Sequence, residues 1–201
     1  EADEFDRSFL QLTPTIACIT STDADHLDIY GTADEVADSY RAFGERVRKV
    51  LLIEKKVPLE GITYSIYEKA DYFINAIIPE GFGYRFDLNS PKGNYERLYF
   101  SQLGLHNLSN ALAAFAMASE FGLDERQLTE AFGTFKGVDR RLQLIVENNR
   151  HVLIDDYAHH PTEINAVFET LMNAYPKEQK CVIFQPHLFS RTRDFMDDFA
   201  S

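Results

Sequence analysis

The chain is short of positive charge. Its 20 Lys and Arg are set against 32 Asp and Glu, for a net charge of −12 and a pI near 4.9. Phosphate backbones are held by basic surface, so this balance argues against nucleic acid as the main partner. Long apolar runs are also missing: none approaches the roughly 20 residues that a membrane-spanning helix needs. No signal peptide opens the sequence, and a cytoplasmic protein is expected. Cysteine is limited to Cys18 and Cys181. Both fall in apolar, strand-like runs, which predicts buried reduced thiols rather than a disulfide. The phosphate-binding loop G-x-x-x-x-G-K-[ST] is absent as well, so the chain is not expected to turn over a nucleotide by itself.

What is present suits a folded α/β protein. With 201 residues and 45% hydrophobic content, the chain can bury a sizeable core in one or two domains. The most informative stretch is Ile154-Asp155-Asp156-Tyr157-Ala158-His159-His160-Pro161, with Phe184-Gln185-Pro186-His187 downstream. Each polar cluster follows a short apolar run, and residues 161–175 between them carry apolar side chains at helical spacing. Pro161 suits a first helical turn, where its missing N–H is no loss. The pattern predicts strand, helix, strand, with parallel strands joined by a right-handed crossover. Both polar clusters would then lie at carboxyl ends of neighbouring strands, where open α/β sheets place ligand sites.

Upstream, residues 15–20 read as a buried strand leading into the loop that contains Asp25-His26-Leu27-Asp28. A helix is predicted from Asp34, with Val36, Tyr40, Phe43, Val47 and Val50 on one stripe. Residues 64–100 change to alternation, with turns at Pro79-Glu80-Gly81 and Pro91-Lys92-Gly93, which predicts a small antiparallel group of strands. An Ala-rich helix follows Gly104-Leu105-His106-Asn107 and stops near Gly122. Asp124 is placed to cap another helix through Phe132. Gly137-Val138-Asp139-Arg140-Arg141 marks the expected boundary between residues 1–137 and 138–201. The acidic opening at Glu1 and the unterminated helical pattern at residues 194–201 predict a piece of a longer protein, cut at both ends.

Several groups could carry chemistry, each with a plainer alternative. The oxygen-rich sets at Glu1-Ala2-Asp3-Glu4 and Asp25-His26-Leu27-Asp28 suit Mg²⁺, or are simply solvated acidic loops. Asn107 and Asn110 could read a nucleobase edge, while Asn107 could equally cap its helix. Arg140 and Arg141 could clamp a phosphate or carboxylate, or form surface ion pairs. His159 and His160 are adjacent, lack helical spacing and have no third soft ligand nearby, which disfavours zinc. His187, Ser190, Arg191 and Arg193 gather at a helix entry that suits an anion, with Ser190 as an ordinary N-cap in the alternative.

Together these motifs resemble the Mur ligase family. The match runs in order through residues 1–9, 25–30, 104–107 with 110–114, 137–141, 155–163, and 184–187 with 190–192. The resemblance implies the second half of a central ATPase domain, with a mixed sheet and small antiparallel strands, followed by part of a Rossmann-like C-terminal domain. It implies ATP-dependent amide formation with ATP and Mg²⁺, and the double histidine favours the branch that joins L-alanine to UDP-N-acetylmuramate in peptidoglycan synthesis. A ligase that reattaches a recycled peptide, a non-catalytic nucleotide-binding module of the same fold, and a metal-dependent hydrolase are the competing readings. By the resemblance, Glu1 and His26 match Mg²⁺ ligands, and Asn107 and Asn110 match adenine-side asparagines. Arg141 matches the arginine that reaches the ATP phosphates, and Asp156 the carboxylate near the ribose. Tyr157, His159, His187 and Arg191 match the amino-acid side, with Arg141 and His159 as the catalytic pair. Arg140, His160 and Asp28 are expected to support. The chain departs from the family's pattern where Tyr40 and Arg41 stand in a stretch that often carries a modified lysine. It departs again where Leu188 replaces an arginine that often follows the last Pro-His.

Overall fold

The computed structural model describes residues 6–23, 30–186 and 189–200. A 3-10 turn, Ser8–Gln11, precedes strand β1 (Ile16–Ile19) and helix α1 (Ala33–Gly44). Strands β2 (Val50–Glu54), β3 (Ile62–Ser65), β4 (Tyr72–Pro79), β5 (Tyr84–Asn89) and β6 (Asn94–Phe100) follow, then helices α2 (Leu105–Phe121) and α3 (Glu125–Thr134). The remaining elements are β7 (Gln143–Glu147), β8 (Val152–Asp155), α4 (Pro161–Ala174), α5 (Phe189–Asp194) and α6 (Met196–Ala200).

Strands β1 to β6 form one sheet in sequence order, parallel from β1 to β4 and antiparallel from β4 to β6. Side chains alternate across it, as a period of two requires. Leu52 faces the core under α2 and α3 with Tyr64, Tyr72, Phe86, Leu108 and Leu112. Its neighbour Ile53 faces the opposite core with Phe9, Ala17, Ile19 and Phe43. Both faces of the parallel part are therefore covered, which explains its nearly continuous apolar strands. The predicted antiparallel group proves to be an extension of this sheet, and β3 is parallel to its neighbour β4.

Helix α1 stops at Gly44, shorter than the predicted stripe. Val47 lies in the turn beyond it and Val50 opens β2, so their helical spacing is coincidental. Helix α2 ends at Gly122, whose φ of 104° takes the left-handed closing position. Asp124 caps α3 by accepting from the Arg126 N–H. At the same junction Glu125 is buried and accepts from Ser119 Oγ at 2.6 Å, Ser90 Oγ at 2.6 Å and Tyr95 Oη at 2.9 Å. A buried carboxylate is tolerable only with such partners, and this one ties α3 to the β5–β6 turn and the end of α2.

Past residue 142 two expectations need correction. Strand β8 pairs antiparallel with β7 in a separate two-stranded sheet. Residues 181–186 form no strand, so the predicted parallel pair is not made. An apolar strand of that kind needs cover on both faces, and Ile183 is 95% exposed. Cys181 is exposed rather than buried, whereas half-buried Cys18 has its thiol pushed up to about 11 by burial; both are free thiols. Among the described residues no helix is long and apolar enough to cross a membrane.

Candidate functional site

Helix α2 borders a cavity of about 600 Å³ along most of its length. Asn107, Asn110, Ala111, Ala114 and Ala118 line it at steps of three and four, one face of a helix. The alanines leave the space, and Phe100, Phe115, Phe132 and Phe135 close it with aromatic surface. Phe100 and Phe135 stack with centroids 6.2 Å apart, and Phe115 and Phe132 with centroids 5.7 Å apart. Gly137, Val138 and Arg141 reach the same cavity from the segment after α3. An apolar cleft with a few convergent polar groups suits a flat heterocycle carrying an anionic tail. Asn107, Asn110 and Arg141, predicted from two separate motifs, are thus brought together.

The start of α2 is built around Gly104. Its φ of 90° is left-handed, and its N–H donates to Tyr84 Oη at 3.0 Å. A Cβ at this position would lie 2.7 Å from the His106 ring and 2.8 Å from Leu142 Cδ1, so the chain passes where only glycine fits. Asn107 is not the helix cap: Gly104 holds that position, and Asn107 Nδ2 instead donates to the Leu103 carbonyl at 2.8 Å. That bond fixes the amide at the cavity wall. Half-buried His106 also lines the cavity, a position that sequence reading did not assign. Burial pushes its imidazole below the usual range and the Arg141 charge adds to this, against the Asp156 and Glu163 carboxylates, which act the other way.

The Arg141 turn is strained and tied down. Arg140 and Leu142 have φ of 59° and 47°, the left-handed region that side chains disfavour. Such residues persist where the surroundings over-determine them, at an order of 1–3 kcal/mol each. Here Asp156 supplies that control: Oδ2 accepts from the Leu142 N–H and Oδ1 from the Ala158 N–H, both at 2.7 Å. The Tyr157 N–H donates to the Arg140 carbonyl at 2.9 Å. Asp156 therefore acts on the backbone in this structure.

The double histidine organises the entry to α4. Glu163 Oε2 accepts from the His159 and His160 N–H groups at 2.9 and 3.1 Å. Burial alone would raise the Glu163 carboxyl, but those two donors, with the nearby His159 and Arg141 charges, together hold the group below the usual glutamate range. His160 Nδ1 accepts from the Thr162 N–H, which completes a reciprocal cap with Pro161 as the first helical residue. Its ring lies 4.6 Å from that of Phe195. His159 Nδ1 is 2.8 Å from the Tyr157 carbonyl, which can only accept, so Nδ1 carries hydrogen and Nε2 is the basic nitrogen of the neutral ring. Tyr157 is 46% exposed, with its ring 5.0 Å from that of His159.

Glu1, His26, Asp28, His187 and Leu188, all singled out in the sequence, lie outside the described residues. Among the described residues no group of three His, Cys, Asp or Glu could hold a metal ion. Arg191 lies on α5, and Ser190 is inside that helix rather than at its cap.

A family profile described as the Mur ligase middle domain matches residues 2–118. A second, described as the Mur ligase, glutamate ligase domain, matches residues 140–201. Among curated proteins, a UDP-N-acetylmuramate--L-alanine ligase from Christiangramia forsetii is 48% identical over 203 residues, covering 100% of this chain and 45% of its own length. A protein of the same name from Flavobacterium psychrophilum is also 48% identical, with 45% of its length covered. The chain thus spans about half the length of these relatives. Among solved structures, a UDP-N-acetylmuramate-alanine ligase from Thermotoga maritima superposes with a TM-score of 0.80 at 25% identity, over 96% of this chain and 46% of that one.

Proposed function

Because the chain belongs to the Mur ligase family, we propose that it forms part of a cytoplasmic, ATP-dependent ligase joining L-alanine to the carboxylate of UDP-N-acetylmuramate in peptidoglycan synthesis. In this reading residues 1–137 supply the second half of the ATP-binding domain and residues 138–201 the first part of the amino-acid-binding domain. The observation that carries it is the cavity shared by Asn107, Asn110 and Arg141, which lie on both sides of that division. The relatives' names favour free L-alanine over a recycled peptide as the amine.

The residues have distinct tasks. Asn107 and Asn110 present paired donors and acceptors to an adenine edge, and the phenylalanines cover its faces. Arg141 places a guanidinium against the phosphates. Asp156 is assigned to the ribose side and holds the turn that carries Arg141. Glu1 and His26 offer an oxygen and an imidazole nitrogen to Mg²⁺, which would supply neutralisation of phosphate charge. Tyr157, His159, His187 and Arg191 are assigned to the amino-acid substrate.

The chemistry is positioning and charge neutralisation. A carboxylate oxygen of the sugar acid attacks the terminal phosphorus of ATP, and ADP leaves. The alanine amine then attacks the acyl carbon, phosphate leaves, and the nitrogen gives up a proton. Nε2 of His159 is the ring nitrogen able to take that proton. The test is phosphate release by the full-length protein carrying this chain, with UDP-N-acetylmuramate and either L-alanine or a tripeptide as acceptor. Release that depends on L-alanine is expected, and none from residues 1–201 alone, which lack the phosphate loop. Preference for the tripeptide, or L-alanine-dependent release from the isolated chain, would refute the proposal.

A further inference from the structure

We propose that Leu142 is a positioning residue, a pin that seats in the hole left by Gly104 and thereby aims Arg141 at the nucleotide cavity. The inference rests on the ATP-dependent reading given above and assigns a part to a side chain that touches no substrate. Leu142 is 1% exposed, and among the described residues it is the one buried hydrophobic side chain after Phe132. Leu142 is therefore a buried apolar anchor for the segment that carries Arg141.

That contact is close and specific. Leu142 Cδ1 lies 2.8 Å from where a Gly104 Cβ would be, so it occupies the volume that the glycine vacates. Gly104 is in turn the cap of the helix that carries Asn107 and Asn110. The pin thus fixes Arg141 relative to the same helix end that presents the two asparagines.

The backbone converts the seating of Leu142 into a direction for Arg141. The left-handed φ values of Arg140 and Leu142 turn the chain sharply on either side of it. Asp156 holds the Leu142 N–H at 2.7 Å, and Tyr157 holds the Arg140 carbonyl at 2.9 Å. With its neighbours fixed, Arg141 points into the cavity while Leu142 is buried beside Gly104. Removing the pin leaves two strained residues with less to hold them, and the turn is free to relax and swing the guanidinium away.

The test is a double-mutant cycle in the full-length protein, read as the KM for ATP, as kcat and as equilibrium ATP binding. Leu142→Ala is expected to weaken ATP by about tenfold or more, because small misplacements of a charged group are amplified in affinity and rate. Leu142→Met keeps the volume and should restore wild-type behaviour. In an Arg141→Ala background, Leu142→Ala should have no further effect on ATP, since the two residues act as one unit. A similar loss in both backgrounds would mean that Leu142 only stabilises the fold, and would overturn the inference. Should Leu142→Ala fail to fold, as judged by thermal unfolding, Leu142→Val takes its place in the same cycle. Wild-type protein without L-alanine-dependent phosphate release would refute the ligase reading; the inference itself then stands or falls on the ATP-binding arm of the cycle.

Discussion

Up to Phe132 the chain encloses its own core: two clusters, one on each face of the sheet, bury Tyr64, Tyr72, Phe86, Leu108 and Leu112 on one side and Phe9, Phe43 and Ile53 on the other. Beyond residue 142 the apolar side chains of the hairpin, of α4 and of residues 182–184 stay partly in solvent, with Leu153 at 54% and Ile183 at 95% exposure. The first region is held by burial. The second is held by backbone hydrogen bonds at the Asp156 turn and the Glu163 cap, together with Leu142. A two-stranded hairpin with one long helix and two short ones buries little apolar surface for its size. The contrast teaches that the candidate site joins a rigid wall to a weakly anchored one, and that Arg141 comes from the weak side.

The sharpest way to break this contrast is to shorten one leucine in each region. Leu112→Ala, at a fully buried position, is expected to lower stability by about 2–5 kcal/mol. Leu153→Ala should change it by no more than about 0.5 kcal/mol. Denaturant unfolding of the purified chain measures both, and comparable losses would erase the distinction between the regions.

On the second region's own side, Arg191→Ala in the full-length protein should raise the KM for L-alanine and leave that for ATP nearly unchanged. One charge-assisted contact is worth on the order of 1.5–3 kcal/mol. Leu188 stands where a second arginine is common in the resemblance, so Arg191 would bear more of that carboxylate charge. Equal losses for both substrates would assign Arg191 to holding the structure instead.

A smaller effect is expected at the α4 cap. Glu163→Ala should destabilise by about 0.5–2 kcal/mol, the usual range for losing a helix cap. Because the folded carboxyl is held below its ordinary value, its contribution is complete above the unfolded-state pKa and fades as pH falls through the folded one. The difference between wild type and Glu163→Ala should therefore shrink in acid, as read by thermal unfolding across pH, and a difference that grew in acid would count against the cap.

His106 gives the smallest effect. Its imidazole is held below the usual range by burial. The stability gained from keeping it neutral is complete above the ordinary histidine pKa and is lost as pH falls toward the lowered value. His106→Gln should flatten the stability profile across that window. An unchanged profile would show that the ring titrates as if in water.

Motifs whose meaning is local were legible in the sequence. Pro161 opens its helix, Gly122 and Asp124 end and begin theirs, and the i, i+3 spacing of Asn107 and Asn110 places both on one face of α2. Arg141 was legible only through a motif, since nothing in its spacing says which helix it will meet. The cavity's aromatic walls were not legible, because Phe100 and Phe135 become neighbours only through the packing of α3 on β6. Residues 181–184 misled for a related reason: an apolar run has the composition of a buried strand, but a strand exists only where a ladder partner and two covering faces exist. Leu142 carried no signal beyond being apolar in a polar turn. Glu163 did carry one, since its spacing of three from His160 is that of a reciprocal cap.

The most direct measurement of the shared site is equilibrium ATP binding to the full-length protein with Asn110→Ala and, separately, Arg141→Ala. If both regions build one nucleotide site, each change should weaken ATP by about tenfold or more, the size of one lost polar or charged contact. The KM for UDP-N-acetylmuramate should stay near its wild-type value in both. An Arg141→Ala protein that binds ATP as tightly as wild type, while Asn110→Ala does not, would contradict the claim that the second region completes the nucleotide site.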